Sequence, residues 1–216
     1  MKANPKVVII DYACGNLYSI QRALRQAGVS SRISSVPEEI LKADKIILPG
    51  VGAFGDGMKK LISYELFDVI TQCASAGKFI LGICLGMQLL FEESFEFGHH
   101  QGLKLISGKV TRLCEDGAQG GSIKVPHVGW NAIRFLDNAD SPNVFFCGVT
   151  DGAYMYFLHS FCVKADGAKE HLALTAYGTN TFCAMVQKEN IIGVQFHPEI
   201  SGSLGLTLLK NFVFKL

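Results

Sequence analysis

Charge is scarce in this sequence and almost balanced. Only 18% of the 216 residues are Asp, Glu, Lys or Arg, and 20 basic against 19 acidic residues leave a formal net charge of +1. Such a chain offers no broad electrostatic track for a polyanion or an anionic membrane. Paired cysteines are also missing. The seven cysteines (Cys14, Cys73, Cys84, Cys114, Cys147, Cys162 and Cys183) are odd in number, and no two stand in C-x-x-C spacing. This disfavours a disulfide framework or a zinc site and suits a reducing compartment. The six histidines show neither H-x-x-x-H nor H-E-x-x-H spacing, so neither a metal nor a cofactor is expected. Long apolar runs are lacking too. Met1-Lys2-Ala3-Asn4-Pro5-Lys6 leads into only four strongly apolar residues before Asp11, too few for a signal sequence, and no run approaches membrane-spanning length. The expectation is a soluble, cytoplasmic protein.

What the chain does have is a large apolar fraction. At 49% hydrophobic residues it can bury a substantial core and is not a disordered chain. No repeat, low-complexity linker or charge run divides it, so residues 1–216 read as one domain.

The order of local patterns suggests a fold class. Val7-Val8-Ile9-Ile10, Lys45 to Leu48 and Phe79 to Gly82 are short apolar runs of the kind that form buried parallel strands. Between them lie helical patterns. Asn16 can cap a helix whose apolar face is Leu17, Ile20, Leu24 and Ala27, with Gly28 as its stop. Met58 to about Ala76 reads as one helix, with Leu61, Phe67 and Ile70 in the core. Leu85 to about Glu92 reads as another. The second half changes character: His99 to Gly121 is rich in glycine and β-like fragments. Tyr154 to Phe161, Leu172 to Thr175 and Phe182 to Val186 look like strands of an antiparallel extension of the sheet. Ile191 to Phe196 is a further strand, and Leu204 to Phe214 a closing helix. The fold class expected is α/β: a doubly wound, mostly parallel sheet flanked by helices, with an antiparallel β extension in the second half.

Two stretches carry chemistry. Gly82-Ile83-Cys84-Leu85-Gly86 is G-x-C-x-G between a strand and a helix, the pattern of a nucleophile elbow with sulfur in place of oxygen. The sharp turn lifts the side chain above the sheet, glycines relieve the crowding on either side, and a helix N-terminus favours the thiolate. No other cysteine has this setting; Cys14, before Gly15, reads as a packed small residue. A thiol nucleophile needs a base, and the base needs an orienting group. Gln195-Phe196-His197-Pro198-Glu199 supplies both just past a strand, and an extended His-x-Glu puts the two side chains on one side. The other histidines are weaker candidates. His99 and His100 read as solvated in a polar loop, His127 has no nearby acid, His159 reads as a satisfied, half-buried side chain, and His171 as a surface residue.

Gly82 to Gln88 together with Phe196-His197-Pro198-Glu199 resembles the class I (triad-type) glutamine amidotransferases. Asp11-Tyr12 with Gly15-Asn16, Pro49-Gly50-Val51-Gly52, Pro126-His127-Val128-Gly129-Trp130-Asn131 and Tyr156-Phe157-Leu158-His159-Ser160 follow in order. Over essentially the whole chain these resemble the glutaminase subunits of imidazole glycerol phosphate synthases, of histidine biosynthesis. The resemblance implies that Cys84 attacks the side-chain amide of L-glutamine, with His197 as acid–base and Glu199 as its orienter. It implies an oxyanion hole from the N–H of Leu85 and one from the Val51–Gly52 peptide. Gln88 and the Ser160–Phe161 backbone would contact glutamine. It also implies a (β/α)8-barrel synthase subunit as heterodimer partner, receiving ammonia near Trp130, Asn131 and Tyr156. One departure stands out: Ile200 follows His-Pro-Glu where the family usually has lysine. That leaves room for a paralogue serving another synthase, such as one amidating a nucleotide-linked sugar.

Two readings from other classes compete. Gly50-Val51-Gly52-Ala53-Phe54-Gly55 matches the G-x-G-x-x-G of dinucleotide-binding proteins. That fingerprint belongs in a first βα unit with an acidic residue about 20 positions beyond, ending a second strand. Here Asp68 falls inside a helical pattern and Pro49 intrudes. The match is better taken as coincidence, with Gly50 and Gly52 freeing the backbone for an N–H or a peptide flip, and Gly55 and Gly57 shaping the turn into the next helix. A cysteine peptidase on the related elbow does not require the P-H-x-G-W-N and P-G-V-G stretches.

Overall fold

The computed structural model describes residues 5–117, 121–136, 143–164 and 169–216. The readings made on Met1 to Asn4, and on residues 118–120 of the glycine-rich stretch, lie outside them.

The first half alternates strand and helix. It runs through β1 (Val7–Ile10), α1 (Leu17–Gln26), β2 (Ser31–Ser34), α2 (Pro37–Leu41) and β3 (Lys45–Leu48). Then come α3 (Phe54–Ser63), α4 (Leu66–Ser75), β4 (Phe79–Ile83) and the single-turn α5 (Leu85–Leu89). The second half is mainly strand: β5 (Phe91–Ser94), β6 (His100–Gln101), β7 (Ile106–Arg112), β8 (His127–Ala132), β9 (Arg134–Phe135) and β10 (Tyr154–His159). It continues with β11 (Phe161–Val163), β12 (His171–Tyr177), β13 (Asn180–Lys188), β14 (Ile191–Val194), a 3-10 turn at Pro198–Ile200, and α6 (Gly202–Phe214).

The main sheet has eight strands in the order β2-β1-β3-β4-β14-β13-β12-β9. Five adjacent strands, β2 to β14, are parallel, and β13, β12 and β9 continue antiparallel. The chain winds outward from β1 in one direction and from β3 in the other, so a switch point lies between their carboxyl ends. β1 and β3 are buried along their whole length, as the uninterrupted apolar runs predict. Alternate side chains feed two cores. Val7, Ile9, Ile47 and Leu81 face α1 and α6, while Val8, Ile10, Ile46 and Ile80 face α2, α3 and α4. Asn16 caps α1 as expected, its side-chain oxygen accepting from the Ser19 N–H at 3.3 Å.

Several expectations need correction. The helix expected over 58–76 is two helices, broken where Glu65 takes a left-handed backbone (φ +58°). The helix expected from Leu85 to Glu92 stops at Leu89, and Phe91 begins a strand instead; a short apolar run fits either period. Tyr154 to Phe161 does not extend the main sheet. β10 pairs with β8 as a separate two-stranded ribbon, and beyond Ser160 β11 joins a second sheet, β11-β7-β5-β6. Gly55 and Gly57 lie within α3 rather than in the turn before it. His100 is in β6 and its ring packs over Gly55, so it is not a solvated loop residue. His171 is buried, because the alternation of β12 turns residues 171, 173 and 175 inward together.

Candidate active site

The elbow forms at the carboxyl end of β4. Cys84 has φ +54° and ψ −109°, a backbone shape that costs a non-glycine residue on the order of 1–3 kcal/mol. Its N–H is held by the Val194 carbonyl at 2.8 Å, and α5 starts at the next residue. The need for glycine at position 86 is steric: a Cβ there would lie 1.8 Å from the Leu48 carbonyl oxygen. β3, β4 and α5 thus meet so closely that only a bare backbone fits.

Strand pairing brings His197 to the thiol's end of the sheet. β14 lies parallel to β4 with Val194 opposite Ile83, so Gln195 stands level with Cys84 and His197 follows just above. His197 Nδ1 lies 2.8 Å from Glu199 Oε1, and both side chains are buried. The two meet through the 3-10 turn at Pro198–Ile200 rather than through an extended His-x-Glu. A carboxylate only accepts, so Nδ1 carries a proton and Nε2 is the ring nitrogen left over. Nε2 is buried without a hydrogen-bond partner among the described residues. The Cys84 thiol instead directs its proton to the Leu158 carbonyl at 3.6 Å. Burial works against a cation on His197. The Cys84 thiolate and the Glu199 carboxylate outweigh it, and together they push the imidazole up to about 10.

Beside the thiol is a cavity of about 210 Å³. Val51, Gly52, Leu85, Gln88, Ser160 and Phe161 all line it with Cys84, so six positions suggested by motif converge on one space. Gly52 has φ +110° with nothing near its missing Cβ, so its peptide has room to turn. Leu85 opens α5, where helix geometry leaves N–H groups without intrahelical partners. Gln88 Nε2 donates to the Phe161 carbonyl at 2.8 Å and to Gln195 Oε1 at 3.0 Å. Tyr12, from the loop after β1, donates to the Pro49 carbonyl at 2.6 Å and ties the switch point to the glycine loop. The remaining glycines of the G-x-G-x-x-G match serve packing. A Cβ on Gly50 would strike the Tyr12 hydroxyl at 2.6 Å, and one on Gly55 the His100 ring at 2.6 Å.

Glu96, Leu158 and His159 also line the cavity, and no site role was expected of them. Glu96 is buried, with Oε2 accepting from the Phe54 N–H at 2.6 Å, and burial raises its carboxyl above the ordinary value although that N–H opposes the rise. It stands between two phenylalanines in a loop with no motif, so only the fold places it. His159, expected to be half-buried and satisfied, is buried, bonded and part of the lining. Its Nδ1 donates to the Phe161 carbonyl at 2.9 Å, and its Nε2 lies 3.2 Å from His127 Nδ1. His127 Nε2 in turn faces Asn131 Nδ2 at 3.3 Å. Each proton has one place in this chain, so both histidines are neutral Nδ1–H tautomers. Burial lowers His127 to about 4, and burial together with His127 lowers His159 to about 3.

Trp130 and Tyr156 are opposed across the β8–β10 ribbon, their rings 5.9 Å apart at 84°. Trp130 is 54% exposed, and Val128, Tyr154 and Leu158 share its outer face. Asn131, on the other face of β8, is half-buried and donates to His127 and to the Ala176 carbonyl. Among the described residues no group of three His, Cys, Asp or Glu could hold a metal ion, and no helix is long and apolar enough to cross a membrane.

A cysteine elbow, a buried His–Glu pair and a carboxylate-lined cavity at the edge of a parallel sheet can be compared with known proteins. The family model for glutamine amidotransferase class-I matches residues 8–216. The chain belongs to that family. The imidazole glycerol phosphate synthase subunit HisH of Syntrophotalea carbinolica is 46% identical over 207 residues, covering 95% of this amidotransferase and 98% of the relative. The subunit of the same name from Bacillus subtilis is 46% identical over 206 residues, covering 94% and 93%. Among solved structures, PurLQS of Thermotoga maritima superposes with a TM-score of 0.68 at 20% identity, covering 97% of this chain and 98% of that one. At that identity the likeness speaks for the fold alone.

Proposed function

We propose that this amidotransferase is the glutamine-hydrolysing subunit of an imidazole glycerol phosphate synthase, acting in histidine biosynthesis through a Cys84–His197–Glu199 triad. The observation that carries the reading is the buried 2.8 Å His197–Glu199 pair beside a thiol on a strained elbow. His197 Nε2 takes the Cys84 proton, and the sulfur attacks the side-chain carbonyl carbon of glutamine. The carbonyl electrons move to oxygen, where the Leu85 N–H and an N–H from the Val51–Gly52 peptide receive them; such donors are worth roughly 2.7–4 kcal/mol each. As the C–N bond breaks, His197 protonates the departing nitrogen, giving ammonia and a γ-glutamyl thioester. Water, deprotonated by His197, then attacks the thioester, and the C–S electrons return to sulfur as glutamate forms. Glu199 keeps the imidazole in the working tautomer and steadies its cation. The Glu96 carboxylate suits the α-ammonium group of glutamine, and Gln88 its polar backbone.

The partner in this reading is a (β/α)8-barrel synthase subunit that receives the ammonia. The exposed apolar face of the β8–β10 ribbon supports a docked partner, since aromatic anchors of this kind dominate interfaces. The Leu158 carbonyl that holds the thiol proton is on β10 itself, so docking acts on a strand that touches the nucleophile. This fits a subunit with low glutaminase activity on its own. The exposed Ile200, beside that face, favours a second reading in which the partner is a different synthase. Native pull-down separates the two: recovery of a barrel synthase of the histidine pathway supports the first, and recovery of another synthase the second. Cys84→Ala is expected to abolish partner-stimulated glutamine hydrolysis; turnover retained in that variant refutes the nucleophile.

A further inference from the structure

The Cys84 sulfur has a polar neighbour that the triad does not include. Gln195 is fully buried, and its Nε2 lies 3.7 Å from Cys84 Sγ. The two ends of an amide are distinguished only by their partners, and here the partners are decisive. The Phe161 carbonyl can only accept, so Gln88 must turn its nitrogen toward it. The second N–H of that nitrogen reaches Gln195, and an N–H must meet an oxygen. Gln195 is left with its own N–H facing the sulfur. His159 Nδ1 holds the same Phe161 carbonyl from the other side, which secures the anchor of the series. The backbone agrees: the pairing of β14 with β4 sets residue 195 level with residue 84.

We propose that Gln195 stabilises the Cys84 thiolate by donating a hydrogen bond to it, with Phe161 and Gln88 fixing the donor's direction. The inference rests on Cys84 being the nucleophile. A neutral thiol gains little from a donor aimed at its sulfur, whereas a thiolate is a strong acceptor and bonds to charged groups are the stronger class. The donor therefore acts twice: once when sulfur loses its proton before attack, and again when the C–S bond breaks and its electron pair returns to sulfur. The titratable groups around the sulfur are His197 with Glu199 behind it, Tyr12 from the loop after β1, and Glu96 and His159 across the cavity. Gln195 is uncharged, so it favours the thiolate without competing with His197 for a proton.

The test compares Gln195→Glu and Gln195→Met with the native chain. Gln195→Glu keeps the shape and an oxygen for Gln88 but replaces the donor with an acceptor. Gln195→Met removes both bonds. The rate of iodoacetamide labelling at Cys84 is followed against pH by peptide mass spectrometry, with the exposed Cys114 as internal reference. Both variants are expected to move the Cys84 midpoint to higher pH and to slow labelling at neutral pH about tenfold, with kcat for glutamine hydrolysis falling alongside. Cys114 is expected to be unchanged. A native Cys84 that never labels ahead of Cys114 overturns the nucleophile reading, and this inference with it. A reactive Cys84 whose profile is the same in native and variant chains overturns the inference alone. Should Gln195→Met fail to fold by circular dichroism, Gln195→Leu, neutral and equally without a donor, decides by the same profile.

Discussion

Substituting Gly86 by alanine tests the elbow most directly, because the structure supplies both the clash and its control. An alanine Cβ at position 86 would lie 1.8 Å from the Leu48 carbonyl oxygen and 2.8 Å from its carbon. Carbon and oxygen settle at about 3.3 Å, so α5 and the end of β3 must part by roughly 1.5 Å. Neither side is a flexible side chain that could swing away. β3 is hydrogen-bonded between β1 and β4, and every residue of α5 is buried. Overpacking of a close-packed core costs about 1–3 kcal/mol even when side chains can yield, and a backbone clash belongs at or above the upper end. The better helix propensity of alanine returns no more than about 1 kcal/mol. In a chain of this length 3 kcal/mol corresponds to a fall in Tm of about 6–12 °C. Gly57→Ala is the control. It is a glycine in α3 whose Cβ would meet only the Leu85 and Leu89 side chains, at 3.3–3.4 Å. Thermal and urea unfolding of both variants, with glutamine hydrolysis measured beside them, check the argument. Gly57→Ala is expected within about 1 kcal/mol of the native chain. Gly86→Ala is expected to lose most of its stability margin and, where it folds, its activity. A Gly86→Ala protein melting within 2 °C of native with activity intact would refute the close approach of β3 and α5.

Stability should fall on both sides of neutral pH, for separate reasons. His127 and His159 are held below the ordinary histidine value of about 6.5, at about 4 and about 3, so the unfolded chain binds more protons than the native one on the acid side. Their contribution is present above about 6.5 and is lost as pH falls toward 3–4. His197 is held up at about 10, so its contribution is present below about 6.5 and is lost as pH rises through 10. Urea titrations at several pH values should show the acid slope flattened in His159→Leu and the alkaline slope flattened in His197→Asn; unchanged slopes count against the assignments. Gly52→Ala meets no steric neighbour, so its folding cost should be only the left-handed backbone strain, about 1–3 kcal/mol. Its partner-stimulated glutaminase activity should nonetheless drop sharply, and intact activity would remove the peptide of residues 51 and 52 from the oxyanion site.

The parts of this protein legible in the sequence are those whose physics is local. Uninterrupted apolar runs such as Val7 to Ile10 announce strands buried on both faces, and Asn16 and Gly28 mark the ends of a helix within a few residues of themselves. The thiol elbow is readable because its turn needs glycines two residues either side of Cys84, and the His197–Glu199 pair because a single residue separates the two side chains. Side-chain identity and short spacing sufficed there, since neither depends on which strand lies next to which.

Strand neighbours were decided only by the tertiary structure. Tyr154 to Phe161 reads as one strand, yet the chain changes sheets at Ser160, because β propensity says nothing about the partner. The same limit hid His171, whose burial follows from the inward phase of β12. Glu96 reaches the cavity from the loop between β5 and β6, which carries no motif, and is held there by the Phe54 N–H at the start of α3. Gln195 was visible as a letter beside the histidine. Its role appeared only when β14 lay against β4 and set an amide nitrogen opposite a sulfur more than a hundred residues away in the chain.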